Sequence, residues 1–213
     1  MNKDVLKKVV TVILILSIIT LVGMLCYDYY DMKKSNNYAE GMVNEIDKII
    51  EDNKKLILVN QGNDENSESK PNEPTQEPTR TIQLTGYEVY GKIKIDKIGI
   101  EYPIIEYKNE DALWKSICKI SNNNIDGTGN LCLAGHNMRN LSMFGNLRRV
   151  GIGDIVKITN LYGEEFIYEI FEKITIDPSE NDVLNNTKEP ILTLVTCNDS
   201  LNKRVIVKGR LIR

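Results

Sequence analysis

The feature that most constrains this chain is an uncharged apolar run near its N-terminus, from Val9 to Cys26. An α-helix rises about 1.5 Å per residue, so this run would span about 27 Å, close to the hydrocarbon thickness of a bilayer. A cleaved signal peptide usually has a shorter apolar region that ends in a small-residue cleavage site. This run is long and ends in bulky residues, so it predicts an uncleaved transmembrane anchor over residues 9–26.

Charges on either side of the anchor predict its orientation. Lys3, Lys7 and Lys8 precede the apolar run, while Asp28 and Asp31 follow it closely. Positively charged flanks stay on the cytoplasmic side of a membrane. We therefore expect residues 1–8 in the cytoplasm and the rest of the chain outside, in a single-pass protein of the cell membrane that contacts lipid through this helix.

Three segments follow the anchor. Residues 27–60 place apolar side chains at three- and four-residue spacing, which is typical of an amphipathic helix packing on the domain or on the membrane, although a short coiled coil is an alternative. Residues 61–80 contain no large apolar residue and are rich in Asn, Glu, Ser and Pro, which predicts a disordered linker. Residues 81–213 form the globular part. An anchor, a spacer and a domain suggest a domain that works at some distance from the membrane.

The globular part alternates short apolar runs with Gly, Asn, Asp and Pro, so we predict a mainly β fold, an antiparallel barrel or sandwich. Only Asp111–Ile120 and Ser142–Val150 resemble short helices. The expected strands are Tyr90–Asp96, Ile100–Ile105, Gly129–Ala134, Asp154–Thr159, Glu165–Ile176, Ile191–Cys197 and Arg204–Ile212.

Composition argues against several classes of function. The net charge is -3 and no Lys/Arg cluster alternates with aromatic residues, so nucleic-acid binding has no electrostatic support. The chain has four cysteines and one histidine, with no C-x-x-C pair, which is weak support for zinc or for a disulfide framework. Acidic residues such as Glu106, Glu164 and Glu165 could bind a cation, but such residues are usually solvated surface. We expect no metal and no cofactor.

The last two expected strands bring two reactive side chains together. Cys197 ends one strand, turn-forming residues follow, and Arg204 begins the next strand. In an antiparallel hairpin these two residues would lie side by side. A thiol beside a fixed cation is a better nucleophile at neutral pH, and a guanidinium can hydrogen-bond a substrate carbonyl or oxyanion.

His136 carries the only imidazole and follows an expected strand directly. Imidazole titrates near neutrality, so His136 is the natural proton donor to a leaving amine, and a Cys–His pair would serve acyl transfer. Cys132 lies four residues before His136 on the same strand, about 13 Å away in an extended chain, which is too far for contact. We expect Cys132 to be structural, and Cys118 likewise within its short helix.

These residues stand in motifs that resemble a known family. Residues 193–197, TLVTC, resemble the sortase signature TLxTC, and residues 135–138, GHNM, resemble the sortase histidine motif. Arg204 matches the sortase arginine on the following strand, and the order and spacing of the three also fit. The resemblance covers about Tyr90 to Arg213. Many sortases have a proline where this chain has Asp96, a departure that involves no site residue.

The resemblance implies a closed eight-stranded β-barrel with a few short helices. It implies that Cys197 attacks a C-terminal sorting motif of a secreted protein, that Arg204 steadies the substrate and that His136 protonates the leaving amine. A thioacyl enzyme would then be resolved by an amine of a peptidoglycan precursor or a pilin, and Thr196 would contact the substrate.

Subclass, substrate and reaction outcome stay open at the level of sequence. The histidine motif resembles class B sortases, whereas the short segment from Glu172 to Pro190 resembles class A or D. No lid motif of the pilin-polymerising type stands in residues 61–86, which favours protein anchoring, and the sorting motif could be LPxTG-like or NPxTN-like. Alternatives are a cysteine hydrolase with the same three residues and a non-catalytic envelope-binding protein.

Overall fold

The computed structural model describes residues 3–62, 81–123, 125–198 and 202–213. Most of the expected linker, residues 63–80, and most of the expected turn after Cys197, residues 199–201, lie outside the described residues. The described part consists of one long N-terminal helix, α1 (Lys3–Gly62), and a β-barrel with short helical segments.

Eight strands close into the barrel. The barrel strands are β2 (Tyr87–Ile95), β3 (Ile100–Glu106), β4 (Ile117–Lys119), β5 (Asn130–Ala134), β6 (Ile155–Asn160), β7 (Glu165–Ile176), β8 (Ile191–Asn198) and β9 (Lys203–Leu211). Their order around the barrel is β2-β3-β4-β5-β8-β9-β7-β6, and β6 returns to pair with β2, as at Ile93 opposite Ile158. A ninth strand, β1 (Ile82–Leu84), pairs with the first residues of β2.

Alternation along the strands fills the barrel. β-Branched and leucine side chains at every second position point inward and are completely buried, among them Ile93, Ile104, Leu133, Ile158 and Leu194. Such residues favour strands because they pack well on a pleated surface. Each buries enough apolar surface to contribute about 2 kcal/mol. The expected eight-stranded closed barrel is therefore confirmed.

The two expected helices of the domain are mostly wrong. The first is α2 (Glu110–Lys115), which ends before Ser116, whose hydroxyl donates to the carbonyl of Pro103 at 2.6 Å. Ile117 then pairs with Ile104 in a parallel ladder, so Cys118 lies in β4 and not in a helix. Periodicity could not show this because β4 has only three residues, too few to display an alternating pattern.

The second expected helix, Ser142–Val150, contains only a 3-10 turn over Leu147–Arg149. Its first residues form a turn instead of a helix, in which the side-chain oxygen of Asn140 accepts hydrogen bonds from the amide and the hydroxyl of Ser142. Met143 has a left-handed backbone (φ 49°), which is incompatible with a continuing right-handed helix.

Helix α1 has two segments that differ in burial. Its apolar side chains between Val9 and Met24 are at least half exposed, whereas Met42, Ile46 and Ile50 are buried against the barrel. Among the described residues, α1 is the one helix apolar and long enough to cross a membrane, with a mean hydropathy of 2.9 in its most apolar window. The barrel-facing part covers the outer face of β2 and β3.

Candidate active site

The β8–β9 hairpin places Cys197 directly opposite Arg204. Directly opposite residues of an antiparallel pair have Cα atoms about 4.5–5.5 Å apart and share one face of the sheet. Cys197 is exposed, while Thr196 before it is buried, as the alternation of a strand requires. The structure thus brings together the thiol and the guanidinium that the sequence placed at adjacent strand ends.

Arg204 has a polar neighbour that the sequence did not indicate. Its Nη1 lies 3.4 Å from Oδ1 of Asn181, which it contacts as a donor. Asn181 immediately precedes a 3-10 turn, Asp182–Leu184, in the connection between β7 and β8. A neutral amide oxygen orients the guanidinium without neutralising its charge, so Arg204 keeps its capacity to bind an oxyanion.

The backbone around His136 is held from both neighbouring sides. The Gly135 amide donates to the Val195 carbonyl at 3.1 Å, and the Thr196 hydroxyl donates to the Gly135 carbonyl at 2.7 Å. On the other side, the Phe144 amide donates to the His136 carbonyl at 3.1 Å. The two bonds of Gly135 link the exit of β5 to β8, so the positions of His136 and Cys197 are set by the same strand pair.

The indole of Trp114 lies against the His136 imidazole. The ring centroids are 4.0 Å apart and the planes are inclined by 34°. Trp114 belongs to α2 and is 56% exposed, so it covers the imidazole from the solvent side. An aromatic face near a protonated imidazole is favourable through the cation–π attraction. Sequence gave no signal for this contact, because α2 and His136 meet only in the folded barrel.

All three predicted catalytic side chains line one open cavity of about 430 Å³. Its apolar surface comes from Ile120, Ala134, Val195 and Leu184, and its polar surface includes Tyr107, Glu110 and Asn181. Such a mixture suits an extended peptide with apolar side chains and a polar backbone. Within the described ranges, no group of three or more His, Cys, Asp or Glu side chains is placed to hold a metal ion.

The other two cysteines of the domain are buried and unreactive by environment. Burial raises the pKa of Cys118 to about 12, with the charges of Glu106 and Glu110 adding to the effect. Burial also raises the pKa of Cys132 to about 11, which a hydrogen bond from Thr193 only partly offsets. Thiolates of either residue are therefore rare at neutral pH.

We expect a thiol alkylator to modify Cys197 at least tenfold faster than Cys118 or Cys132 in the folded chain. The experiment uses the full chain in detergent, with the variant Cys26→Ser to remove the exposed thiol of the apolar run. Peptide mapping by mass spectrometry follows each cysteine, and denaturation should make all of them react. Equal rates for Cys197 and either buried cysteine in the folded chain would contradict the catalytic interpretation.

Gly135 sits where a side chain would collide with the core. A Cβ there would lie 2.6 Å from Cδ1 of Ile117 and 2.8 Å from Cδ2 of Phe144. We expect Gly135→Ala to lower the free energy of unfolding by about 1–3 kcal/mol through overpacking, and to lower kcat/KM because His136 follows directly. Gly151→Ala is the control, since its nearest atom is 3.9 Å away. Thermal unfolding and kinetics measure both, and a Gly135 variant as stable as the Gly151 variant would refute the collision.

An exposed thiol opposite an arginine, with an imidazole on the same cavity of a closed β-barrel, defines a cysteine enzyme of the acyl-transfer class. The family follows from comparison with known proteins. A family model described as the sortase domain matches residues 93–212, more than half of the chain. The chain belongs to the sortase family, and it is a cysteine transpeptidase by membership.

Individual relatives agree with this assignment. The chain is 32% identical over 150 residues to a sortase A of Listeria monocytogenes, an alignment that spans 65% of this chain and 66% of that protein. It is 24% identical over 216 residues to a sortase A of Bacillus anthracis, covering 100% of this chain and 97% of that protein. A solved structure of a Clostridium perfringens sortase D5 transpeptidase is 29% identical, with a TM-score of 0.60, and covers 84% of this chain and 100% of that one.

Proposed function

We propose that this chain is a membrane-anchored transpeptidase that cleaves a C-terminal sorting motif of secreted proteins and joins them to a cell-wall amine. The observation that carries the proposal is the register of the β8–β9 hairpin, which sets Cys197 opposite Arg204, beside a cavity that His136 also lines. The lysines before α1's apolar run and the aspartates after it support a cytoplasmic N-terminus and an extracellular barrel.

The first step is acylation of the thiol. The Cys197 thiolate attacks the carbonyl carbon of the scissile peptide bond, and a C–S bond forms while the carbonyl oxygen gains negative charge. Arg204, oriented by Asn181, donates hydrogen bonds to that oxygen, and donors of this kind contribute most where charge develops. The C–N bond then breaks, and the leaving amine takes a proton from His136.

The second step returns the enzyme to its starting state. An amine of a peptidoglycan precursor attacks the thioester carbonyl, and neutral His136 accepts the proton that this nitrogen loses. The C–S bond breaks, the electron pair returns to sulfur as thiolate, and a new peptide bond joins the protein to the cell wall. The open side of the cavity leaves room for this second substrate.

Thr196 supports this reaction as a positioning residue. Its side chain is 3% exposed and its hydroxyl is engaged with the carbonyl of Gly135 at 2.7 Å. The bond joins the strand that carries Cys197 to the residue before His136. Thr196 also lines the cavity, so its predicted contact with substrate stays a prediction. The hydroxyl adds a second role, which is to set the spacing between nucleophile and proton donor.

The connection before β8 supports placing the chain with class A or D sortases. Between Ile176 and Ile191 the structure has only the 3-10 turn Asp182–Leu184, and that segment is described throughout. A class B sortase resembles this chain in its histidine motif but usually has a long helix there. We infer that the chain belongs to one of these two subclasses and anchors surface proteins.

The test uses the full chain in detergent with peptides that carry LPxTG-like or NPxTN-like motifs and an amine acceptor. Mass spectrometry should find the acyl fragment joined to the acceptor, and omitting the acceptor should leave a thioacyl adduct on the Cys197 peptide. Hydrolysis alone with every acceptor would favour the cysteine hydrolase alternative. No cleavage of any peptide, together with unreactive Cys197, would favour a non-catalytic envelope-binding protein.

A further inference from the structure

The barrel touches α1 very close to the end of its apolar run. The Asn140 amide donates to a carboxylate oxygen of Asp31 at 2.9 Å. Asp31 lies five residues beyond Cys26, which is about 7.5 Å along a helix. The headgroup layer of a bilayer is of similar thickness on each side. If α1 crosses the membrane as proposed, Asn140 lies at the level of the lipid headgroups.

Further contacts show how the barrel lies along α1. Moving away from the apolar run, Asn36 accepts from Tyr102 at 2.7 Å and Asn53 donates to the carbonyl of Leu161 at 2.8 Å. The barrel therefore lies alongside the helix with one end toward the apolar run. We name this the proximal end; it consists of the turn 96–99 and the loop 137–154.

The proximal end has a surface that differs from an ordinary solvated one. Leu141 is 48% exposed in a left-handed backbone conformation (φ 65°), and Ile152 is 77% exposed. Arg139, Arg148 and Arg149 are exposed beside them. Among the described residues, no ion pair to any of these three arginines is found.

The acidic groups of the same end are already engaged. Asp96 lies within 3.4 Å of Lys157 and 3.9 Å of Lys94, and Asp154 accepts from the Gly151 amide and faces Lys97 at 4.0 Å. The charge left for an external partner is therefore positive. Two exposed apolar side chains beside exposed arginines that form no ion pair among the described residues fit an anionic lipid surface.

We propose that the proximal end rests on the outer leaflet, with Arg139, Arg148 and Arg149 on anionic headgroups and Leu141 and Ile152 in the interfacial layer. This rests on the proposed membrane anchoring. His136 precedes Asn140 by only four residues, and β5 and β8 both run toward this end. The contact would therefore hold the cavity of Cys197 at the height of substrates retained in the same membrane.

Fluorescence quenching tests the contact without relying on activity. The full chain is reconstituted in nanodiscs of phosphatidylcholine with phosphatidylglycerol, whose acyl chains are brominated near the headgroup. The only native tryptophan is removed by Trp114→Phe, and Leu141→Trp or Ile152→Trp is added as a probe. Tyr162→Trp, at the opposite end of the barrel, is the matched control, and Leu16→Trp reports insertion of the apolar run.

We expect strong quenching at positions 16, 141 and 152 and little at 162. Replacing all three arginines by glutamine should weaken the quenching at positions 141 and 152. The equilibrium constant of the lipid contact obtained from that quenching should fall at least tenfold, because each basic residue near an anionic surface strengthens association roughly fivefold. The same triple variant should turn over a membrane-embedded sorting substrate more slowly while processing a short peptide in solution at the normal rate.

Quenching at position 16 without quenching at 141 or 152 would overturn the lipid contact and leave the anchoring intact. Absence of quenching at position 16 would refute the anchoring, and the contact with it. Quenching at 141 and 152 that appears only when a membrane-embedded substrate is added would assign this surface to the substrate protein instead.

Discussion

Replacing Cys197 by alanine is expected to lower the rate of transpeptidation by at least about a thousandfold, because neither of the two other thiols of the barrel can take its place. Cys118 and Cys132 are completely buried, and burial raises the pKa of each far above neutrality. The measurement is the initial rate of product formation with a sorting peptide and an amine acceptor. The thioacyl adduct should disappear with the product.

Cys132→Ala provides the matched control for this loss. It removes a thiol from the same domain, on a strand that pairs directly with β8, but Cys132 is 0% exposed and lines no substrate surface. We expect it to cost stability through a small cavity while the activity of the folded fraction stays within a few fold. Full activity in Cys197→Ala, or complete loss of activity in a normally folded Cys132→Ala, would contradict the assignment of Cys197 as the nucleophile.

Sequence predicts those parts of the site that depend on neighbours along the chain. Cys197 and Arg204 are seven residues apart, so one hairpin fixes their pairing, and strand propensity with turn residues is sufficient to indicate it. The barrel interior follows from the same local alternation. The role of His136 is predicted by its position after a strand and by the family resemblance. Its proximity to β8 cannot be predicted from local pattern, because β8 lies about 60 residues further along the chain.

Contacts made by distant segments could not be predicted in this way. Trp114 reaches His136 only because α2 ends at Ser116 and β4 then joins the parallel ladder with β3. Asn181 reaches Arg204 from an irregular connection that has no periodicity to recognise. Both contacts orient side chains that the sequence indicates. The residues that sequence could not predict are therefore the neighbours that orient the catalytic side chains.

The packing of helix α1 on the barrel is a further feature that the sequence left open. A polar linker after the anchor suggested a domain held away from the bilayer. In the structure α1 continues to Gly62 and packs on the barrel through Met42, Ile46 and Ile50. Amphipathic spacing indicated a helix with one apolar face but left open whether the domain or the membrane would cover it. The buried contact shows that the barrel covers it.

Replacing His136 by glutamine is expected to lower kcat/KM for a sorting peptide by about a hundredfold to ten-thousandfold, the usual contribution of a general acid or base. Glutamine retains hydrogen-bonding capacity and similar size, so the Trp114 contact loses little packing. His136 is the only histidine of the chain, so no second imidazole can substitute for it. Initial rates with the peptide and an amine acceptor measure the loss.

A substrate with a better leaving group separates proton donation from other roles of His136. An aryl ester of the same acyl sequence releases an aryl oxide that needs no proton, whereas a peptide releases an amine that does. If His136 protonates the leaving group, His136→Gln should slow acylation by the ester far less than acylation by the peptide. Trp114→Phe, which keeps an aromatic face beside the imidazole, should slow both substrates equally and only a few fold. An equal large loss for ester and peptide in His136→Gln would contradict proton donation and would mean that His136 acts on the Cys197 thiol, since formation of the thiolate precedes attack on either substrate.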